Sequence, residues 1–291
     1  MRSLIMKLRC PECKLELDAN YLCENGHKYF IEDNVLLLMN QDFKSQLQDW
    51  LESFDDYRSE KRIKLDFSNL PLAGVAHNKN IWEARIEDLS IIEQLMPENC
   101  KTVLDVGSWN GWLANQLSKS GKNVTAIDYF IHELDGLKAK KHYGNPVWNS
   151  IQMDLENIDI FQEKFDLIIL NRCFAYFTNK EKTLSSLYKL LAPKGKLIIT
   201  GINILNERTQ GKNELSIAQE YFVNKYGKNI LFKPSKGFMD SKDLSQLKSK
   251  GVVTFLYPNW KNRIKKFINY KKGIVYYGVF SSQEDSKKTE I

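Results

Sequence analysis

Several things are missing from this 291-residue chain, and each absence excludes a class of protein. No apolar run approaches the ~18–20 residues that cross a bilayer, and the longest, such as 166–170, are strand-sized. The first ten residues offer only Leu4, Ile5 and Met6 as an apolar segment, too short for a secretory signal core. The chain is therefore expected to be cytoplasmic, with no membrane partner. No glycine-rich turn is followed by Gly-Lys-Ser/Thr, so a P-loop is absent. A dinucleotide fingerprint would need glycines at 107, 109 and 112, where Trp109 and Trp112 occupy two of the three places, which argues against NAD and FAD. Arginine is scarce and lysine supplies most of the positive charge, which weakens any case for bidentate phosphate recognition.

What is present is ample for a core. With 43% hydrophobic and 27% charged residues, the chain can form one large domain or two. The net charge of +6 conceals an asymmetry. Residues 1–100 carry 12 Lys/Arg against 18 Asp/Glu, residues 101–200 carry 13 against 10, and residues 201–291 carry 17 against 8. A basic rear suits an anionic partner such as RNA, or simply a solvated lysine-rich face.

Three of the five cysteines cluster near the start, as Cys10, Cys13 and Cys23, and His27 follows in the pattern C-x2-C-x9-C-x3-H. One Cys-Pro-x-Cys knuckle and a second knuckle through Gly26 supply four soft or borderline ligands, the set that tetrahedral Zn²⁺ takes. Four protein ligands leave no position open for water, so the ion would be structural, holding a zinc ribbon over residues 1–44. Disulfides and unliganded thiols are the alternatives. Cys100 and Cys173 lie outside the cluster.

Residues 45–100 read as a helical lead-in. Phe43, Leu47, Trp50, Leu51 and Phe54 recur at helical spacing, then a turn-rich stretch at 68–80 precedes a second helical pattern over 81–96. Nothing in the lead-in looks catalytic. From 101 to 281 strands alternate with helical segments: strands at 102–106, 124–128, 150–153, 166–170 and 196–201, with helices at 112–120, 131–142 and 179–191. This rhythm predicts an α/β fold with a parallel sheet covered by helices. Ligands bind such sheets at the carboxyl ends of the strands, which selects the loops 107–111, 128–130, 154–155 and 171–177. Further on, helices at 213–226 and 241–250 and strands at 252–257 and 273–280 are expected, with 282–291 a disordered tail.

The first loop reads Asp105, Val106, Gly107, Ser108, Trp109, Asn110, Gly111, and the next strand ends in Asp128. A carboxylate there can accept both hydroxyls of a ribose, while Gly107 lets the backbone approach a ligand closely. With these residues the stretch resembles the class I S-adenosylmethionine-dependent methyltransferases. Their first motif is matched by Val103-Leu104-Asp105-Val106-Gly107 and Gly111-Trp112-Leu113-Ala114, their second by Ala126-Ile127-Asp128, and their third by Met153-Asp154-Leu155. The fourth strand is matched from Phe165 to Asn171, and Pro193-Lys194-Gly195 resembles the turn before the fifth. The resemblance implies a Rossmann-like sheet whose last strand is antiparallel, and S-adenosylmethionine as cofactor. It implies that Gly107 and Gly111 line the methionine part, Asp128 holds the ribose, Phe130 covers the adenine, Asp154 meets its amine, and Asp105 orders the loop. Asn171 belongs to the same set. Where the family has a middle glycine this chain has Trp109, whose ring must point away from the cofactor or stack on something. Together with the Cys/His module, the architecture resembles the large-subunit ribosomal RNA guanine-N1 methyltransferases.

Methyl transfer needs a positioned nucleophile and exclusion of water more than it needs a metal. Residues after the fourth strand usually face the methyl group, which nominates Asn171, Arg172 and Tyr176, with Cys173 and Phe177 beside them. Cys173 as a covalent nucleophile, His132 or His142 as a base, and Trp109, Trp112 and Trp148 as an aromatic wall are each weighed against ordinary packing. The acceptor stays open between an RNA base, favoured by basic residues interleaved with aromatics at 260–272, and a small metabolite. A reading from another class is a non-catalytic adaptor with a degenerate cofactor loop.

Overall fold

The computed structural model describes residues 6–60, 65–204, 214–250, 252–254 and 274–281. The expected segment 260–272 and the tail 282–291 lie outside them. The strands are β1 (Phe30–Glu32), β2 (Val35–Leu37), β3 (Thr102–Val106), β4 (Asn123–Asp128) and β5 (Asn149–Gln152). They continue as β6 (Phe165–Asn171), β7 (Leu191–Ile204), β8 (Val252–Thr254) and β9 (Ile274–Ser281). All join one sheet in the order β1-β2-β5-β4-β3-β6-β7-β9-β8. The strands β2, β5, β4, β3, β6 and β7 run parallel, and β9 runs antiparallel to both β7 and β8. The Cys/His module is tied to this sheet directly, because β2 pairs with β5 through Leu36 and Ile151.

Near-continuous apolar strands are what a sheet buried on both faces requires. Alternation sends Leu104, Val106, Ile168 and Leu170 into one core with Leu184, Leu187, Leu244 and Leu247 from covering helices, and with Leu8, Cys10 and Cys23 from the N-terminal module. It sends Val103, Leu167 and Ile169 into the other, against Trp82 and Ile92 of the helix Lys79–Leu95 and Trp112 to Leu117 of the helix Trp112–Lys119. The helix Gln41–Glu60 lies elsewhere, with Phe43, Leu47 and Trp50 packed on Phe232 and Tyr129, and Tyr57 on Phe222 and Ile230. No described helix is long and apolar enough to cross a membrane.

Two local expectations are corrected. Residues 131–142 do not form an α-helix, and only a 3-10 turn, Leu137–His142, is present. His132 Nδ1 accepts from the amides of Leu134 and Asp135, both 3.2 Å away, and the Leu137 amide donates to Phe130 O, so local turns take the bonds a helix would need. The turn-rich stretch 68–80 holds a short helix, Leu72–His77.

Candidate active site

The chain order reverses around β3: β4 and β5 lie on one side and β6 and β7 on the other. The loops after β3, β4, β5 and β6 converge there on a cavity of about 630 Å³. That size is ordinary for a small-molecule site.

The β3 loop is built around two glycines with left-handed backbone, Gly107 (φ 72°) and Gly111 (φ 76°). A Cβ on Gly107 would stand 2.8 Å from Cys173 Sγ, and one on Gly111 would stand 3.0 Å from the Trp148 ring, so neither site has room for a side chain. Asp128 is buried, and its two oxygens accept the amides of Trp109 (2.8 Å) and Phe130 (3.1 Å). A carboxylate has about four acceptor positions, which leaves capacity for further hydroxyls. Burial pushes its pKa up to about 6 against those stabilising amides. Asp105 is 1% exposed, and neither of its oxygens has a hydrogen-bond partner of standard geometry. Burial pushes it up to about 7; the neighbouring Ser108 hydroxyl opposes the rise and the negative Asp128 adds to it. Ser108 Oγ and Asn110 Nδ2 are buried and unpartnered as well. A native interior seldom leaves so many polar atoms unsatisfied, and at a cavity wall they are where a polar ligand binds.

The remaining expected residues divide. Phe130 and Asn171 line the cavity, and Tyr176 stands partly exposed at its rim. Asp154 also lines it, bonded to the Lys233 ammonium at 3.1 Å and to the Glu156 amide. Arg172 reaches the cavity but is committed to Asp88, a fully buried carboxylate that also accepts from the Tyr277 hydroxyl at 3.0 Å. The Cys173 thiol donates to Val106 O at 3.1 Å, and burial, with Asp105 and Asp128 nearby, pushes its pKa well up, so it is a poor nucleophile. His132 serves its own turn and His142 stacks on Phe67, which leaves neither in the cavity wall. Trp112 and Trp148 are buried packing residues of the core, although Trp112 touches the cavity edge.

Sequence reasoning missed the opposite wall. Trp50, Phe54, Tyr57 and Arg58 from the lead-in helix, with Leu215, Ile230 and Leu231, roof the cavity; His77 and Arg85 contribute from the helices before β3. Phe54 meets Phe130 edge-on at 5.1 Å and Trp50 meets Tyr129 at 5.9 Å, so the roof presses on the β4 loop. The available signal was the density of aromatics at 50, 54 and 57 on one helix face. For Arg85 there was none.

Away from this cavity, the ligand atoms of Cys10, Cys13, Cys23 and His27 all lie within 4.8 Å of one another. Cys10 Sγ and Cys23 Sγ are 3.5 and 3.4 Å from His27 Nδ1, and Cys13 Sγ is 3.7 Å from Cys23 Sγ. The knuckles are shaped by Lys14 and Gly26 in left-handed backbone and by amide bonds from Lys14 to Cys10 O and from Gly26 to Cys23 O.

Residues 104–199 match the family profile described as a methyltransferase domain. Residues 104–199 are thus similar to a methyltransferase domain. A ubiquinone biosynthesis O-methyltransferase of Rickettsia bellii is 29% identical over 159 residues, covering 52% of this chain and 64% of its own length. A malonyl-[acyl-carrier protein] O-methyltransferase of Priestia megaterium is 28% identical over 153 residues, covering 52% of this chain and 53% of its own. The chain thus spans less than two thirds of these relatives' length. Among solved structures, the plantazolicin methyltransferase has a TM-score of 0.48 at 15% identity, covering 82% of this chain and 97% of that one. The matched segment of the methyltransferase domain runs from β3 into β7 and carries the β3, β4, β5 and β6 loops; the roof and the Cys/His module lie outside it.

Proposed function

We propose that the protein transfers the methyl group of S-adenosylmethionine to a small, largely apolar acceptor, and that its Cys/His cluster holds a structural zinc ion. The observation that carries the reading is the union, in one cavity, of unsatisfied buried polar atoms on the β3 loop with an aromatic roof. When bound, S-adenosylmethionine supplies a methyl group on a positively charged sulfonium. Asp105 and Asp128 supply negative charge toward it, Asp128 with acceptor capacity for ribose hydroxyls, and Phe130 and Leu155 offer apolar surface for the base. Arg85, whose Nη1 is buried without a partner, lines the same cavity and would hold the carboxylate end. Trp50, Phe54 and Tyr57 exclude water from the site, and Asn171 and Tyr176 orient the acceptor without changing charge.

The acceptor reading rests on the roof, since aromatic and aliphatic side chains suit an apolar body. The two relatives described above are named for ubiquinone biosynthesis and for a malonyl group on acyl-carrier protein. An RNA base is the second reading, favoured by the basic residues at 260–272 and by the architecture of the Cys/His module. For the metal, ligands on a tetrahedral zinc at ~2.3 Å (S) and ~2.0 Å (N) stand roughly 3.5–3.8 Å apart, close to the Cys10–His27, Cys23–His27 and Cys13–Cys23 separations. The Tyr29 hydroxyl, 3.1 Å from Cys10 Sγ, is placed to support a thiolate.

The test is calorimetry of the full chain with S-adenosylmethionine, beside metal analysis of the same sample. Binding with one zinc per chain is expected. Protein that folds and carries zinc but binds no cofactor would overturn the catalytic reading, and metal-free folded protein would overturn the zinc reading.

A further inference from the structure

Trp109 is the one place where the β3 loop departs from the motif it otherwise matches, and the structure gives that departure a use. Its backbone is left-handed (φ 54°), a conformation strained for a residue with a Cβ and free for glycine. The turn itself does not call for an indole. The contact that ties position 109 to the site is its amide to Asp128 Oδ2, which any residue but proline could make. What the ring does is lie against Arg85, whose guanidinium carbon stands 4.0 Å from the Trp109 centroid and 4.7 Å from that of Trp82.

Arg85 needs such support. The buried carboxylate on its own helix, Asp88, is engaged by Arg172 and by the Tyr277 hydroxyl. Burial and the like charge of Arg172 push the Arg85 pKa down to about 10, so this cation sits in an environment that disfavours it. Its Nη1 is nevertheless buried with no hydrogen-bond partner, beside the cavity it lines. An arginine clasped between two indole faces, with one nitrogen left over, is a preorganised anion receptor.

We propose that Trp109 is a positioning residue, which holds the Arg85 guanidinium at the cavity wall to receive the carboxylate of the bound cofactor. The proposal rests on the cofactor reading above. It reverses the meaning of the missing glycine: the indole strengthens cofactor binding through Arg85, where a degenerate loop would weaken it.

The experiment compares wild type, Arg85→Gln, Trp109→Gly and Trp109→Phe by calorimetry, with circular dichroism to establish that each is folded. The probes are S-adenosylhomocysteine, which carries the carboxylate, and 5′-methylthioadenosine, which lacks it. Arg85→Gln and Trp109→Gly should weaken S-adenosylhomocysteine about tenfold, the scale of a partly desolvated cation–π contact, and leave methylthioadenosine unchanged. Trp109→Phe, which keeps an aromatic face, should recover most of the loss. A Trp109→Gly variant that binds S-adenosylhomocysteine as well as or better than wild type overturns the proposal, as does equal weakening of both probes. Should wild type bind neither, the cofactor reading fails, and the Arg85 Nε–H nuclear magnetic resonance signal then decides the stack. A ring-current-shifted signal that moves in Trp109→Gly supports it, and an unshifted one in wild type overturns it.

Discussion

At the scale of single residues, the site is a place where charge is held at a disadvantage. Asp105 is raised from the ordinary 3.8 to about 7 and Asp128 to about 6, both chiefly by burial. A raised carboxylate pKa means that the folded chain binds a proton the unfolded chain has lost between about pH 4 and the raised value. Stability therefore falls as pH rises through that window and levels off above it. Carboxylates held low, such as Asp240 at about 2 beside Lys236, act in the opposite sense, but below about pH 4. The ligand-free protein is accordingly expected to lose thermal stability between about pH 4 and 7. Asp105→Asn should remove a large part of that slope, on the order of 2–4 kcal/mol at neutral pH. A melting series in pH checks this, and an undiminished slope in Asp105→Asn would refute the assignment. A cationic cofactor favours the ionised acids, so its stabilising effect should grow over the same range. Asp105, Gly107 and Asp128 were legible as cavity residues because a strand, a turn and a second strand fix their spacing, whereas Gly111, expected beside them, does not line the cavity and instead shapes the turn against Trp148. Arg85 was not, because an arginine on a helix reads as a solvent-facing charge until the two indoles that clasp it, one of them on the β3 loop, are brought beside it.

At the scale of elements, the segment that matches the methyltransferase profile supplies the floor and the flanking segments supply the roof. The helix Gln41–Glu60 was legible as amphipathic, and five strands of the sheet fell where alternation put them. The partner of the aromatic stripe was not legible, because Phe222, Ile230 and Phe232 lie at the far end of the chain, beyond the whole parallel sheet, and nothing local announces the pairing. The missing helix at 131–142 has a similar cause. Its apolar spacing is helical, but Arg58 from the roof bonds Asp135, Nε to Oδ2 at 2.8 Å, and His132 caps its own turn. Trp50 joins floor to roof. It is 7% exposed, stacks on Phe54 at 4.3 Å, and donates from Nε1 to Asn229 O at 3.0 Å. Trp50→Ala is expected to lower stability by about 3–5 kcal/mol, and Trp50→Phe, which keeps most packing and loses the hydrogen bond, by about 1–2 kcal/mol. Denaturant unfolding measures both. Equal effects would mean that packing is not what holds the roof, and an unchanged cofactor affinity in a folded Trp50→Ala variant would mean that the roof does not cover the cofactor.

At the scale of the whole molecule, the charge asymmetry of the sequence is partly an internal pairing. The acidic front contributes Asp49, Asp56 and Glu60 on the first long helix, and the basic rear answers with Lys225 and Lys228. Lys233 pairs with Asp154, Lys236 with Asp240, and Lys250 with Glu181. Lysines already facing carboxylates attract a polyanion less than their count suggests, because their near field is largely cancelled at separations under a Debye length. The pairs between the first helix and Lys225 and Lys228 are largely exposed and screened, so they align the two segments more than they hold them together; the apolar contacts do that. The difference between a small acceptor and RNA thus becomes a difference in salt response. A protein that neutralises about 6–10 phosphates loses about 10³–10⁵ in affinity between roughly 50 and 200 mM salt. For the small-acceptor reading, ribosomal RNA is expected to bind weakly and with a shallow slope, and cofactor affinity should barely move over the same salt range. A retardation assay across that range decides between them. A steep slope that flattens when Lys261, Lys265, Lys266, Lys271 and Lys272 are replaced by glutamine would move the acceptor to RNA, and would make the basic segment its docking arm.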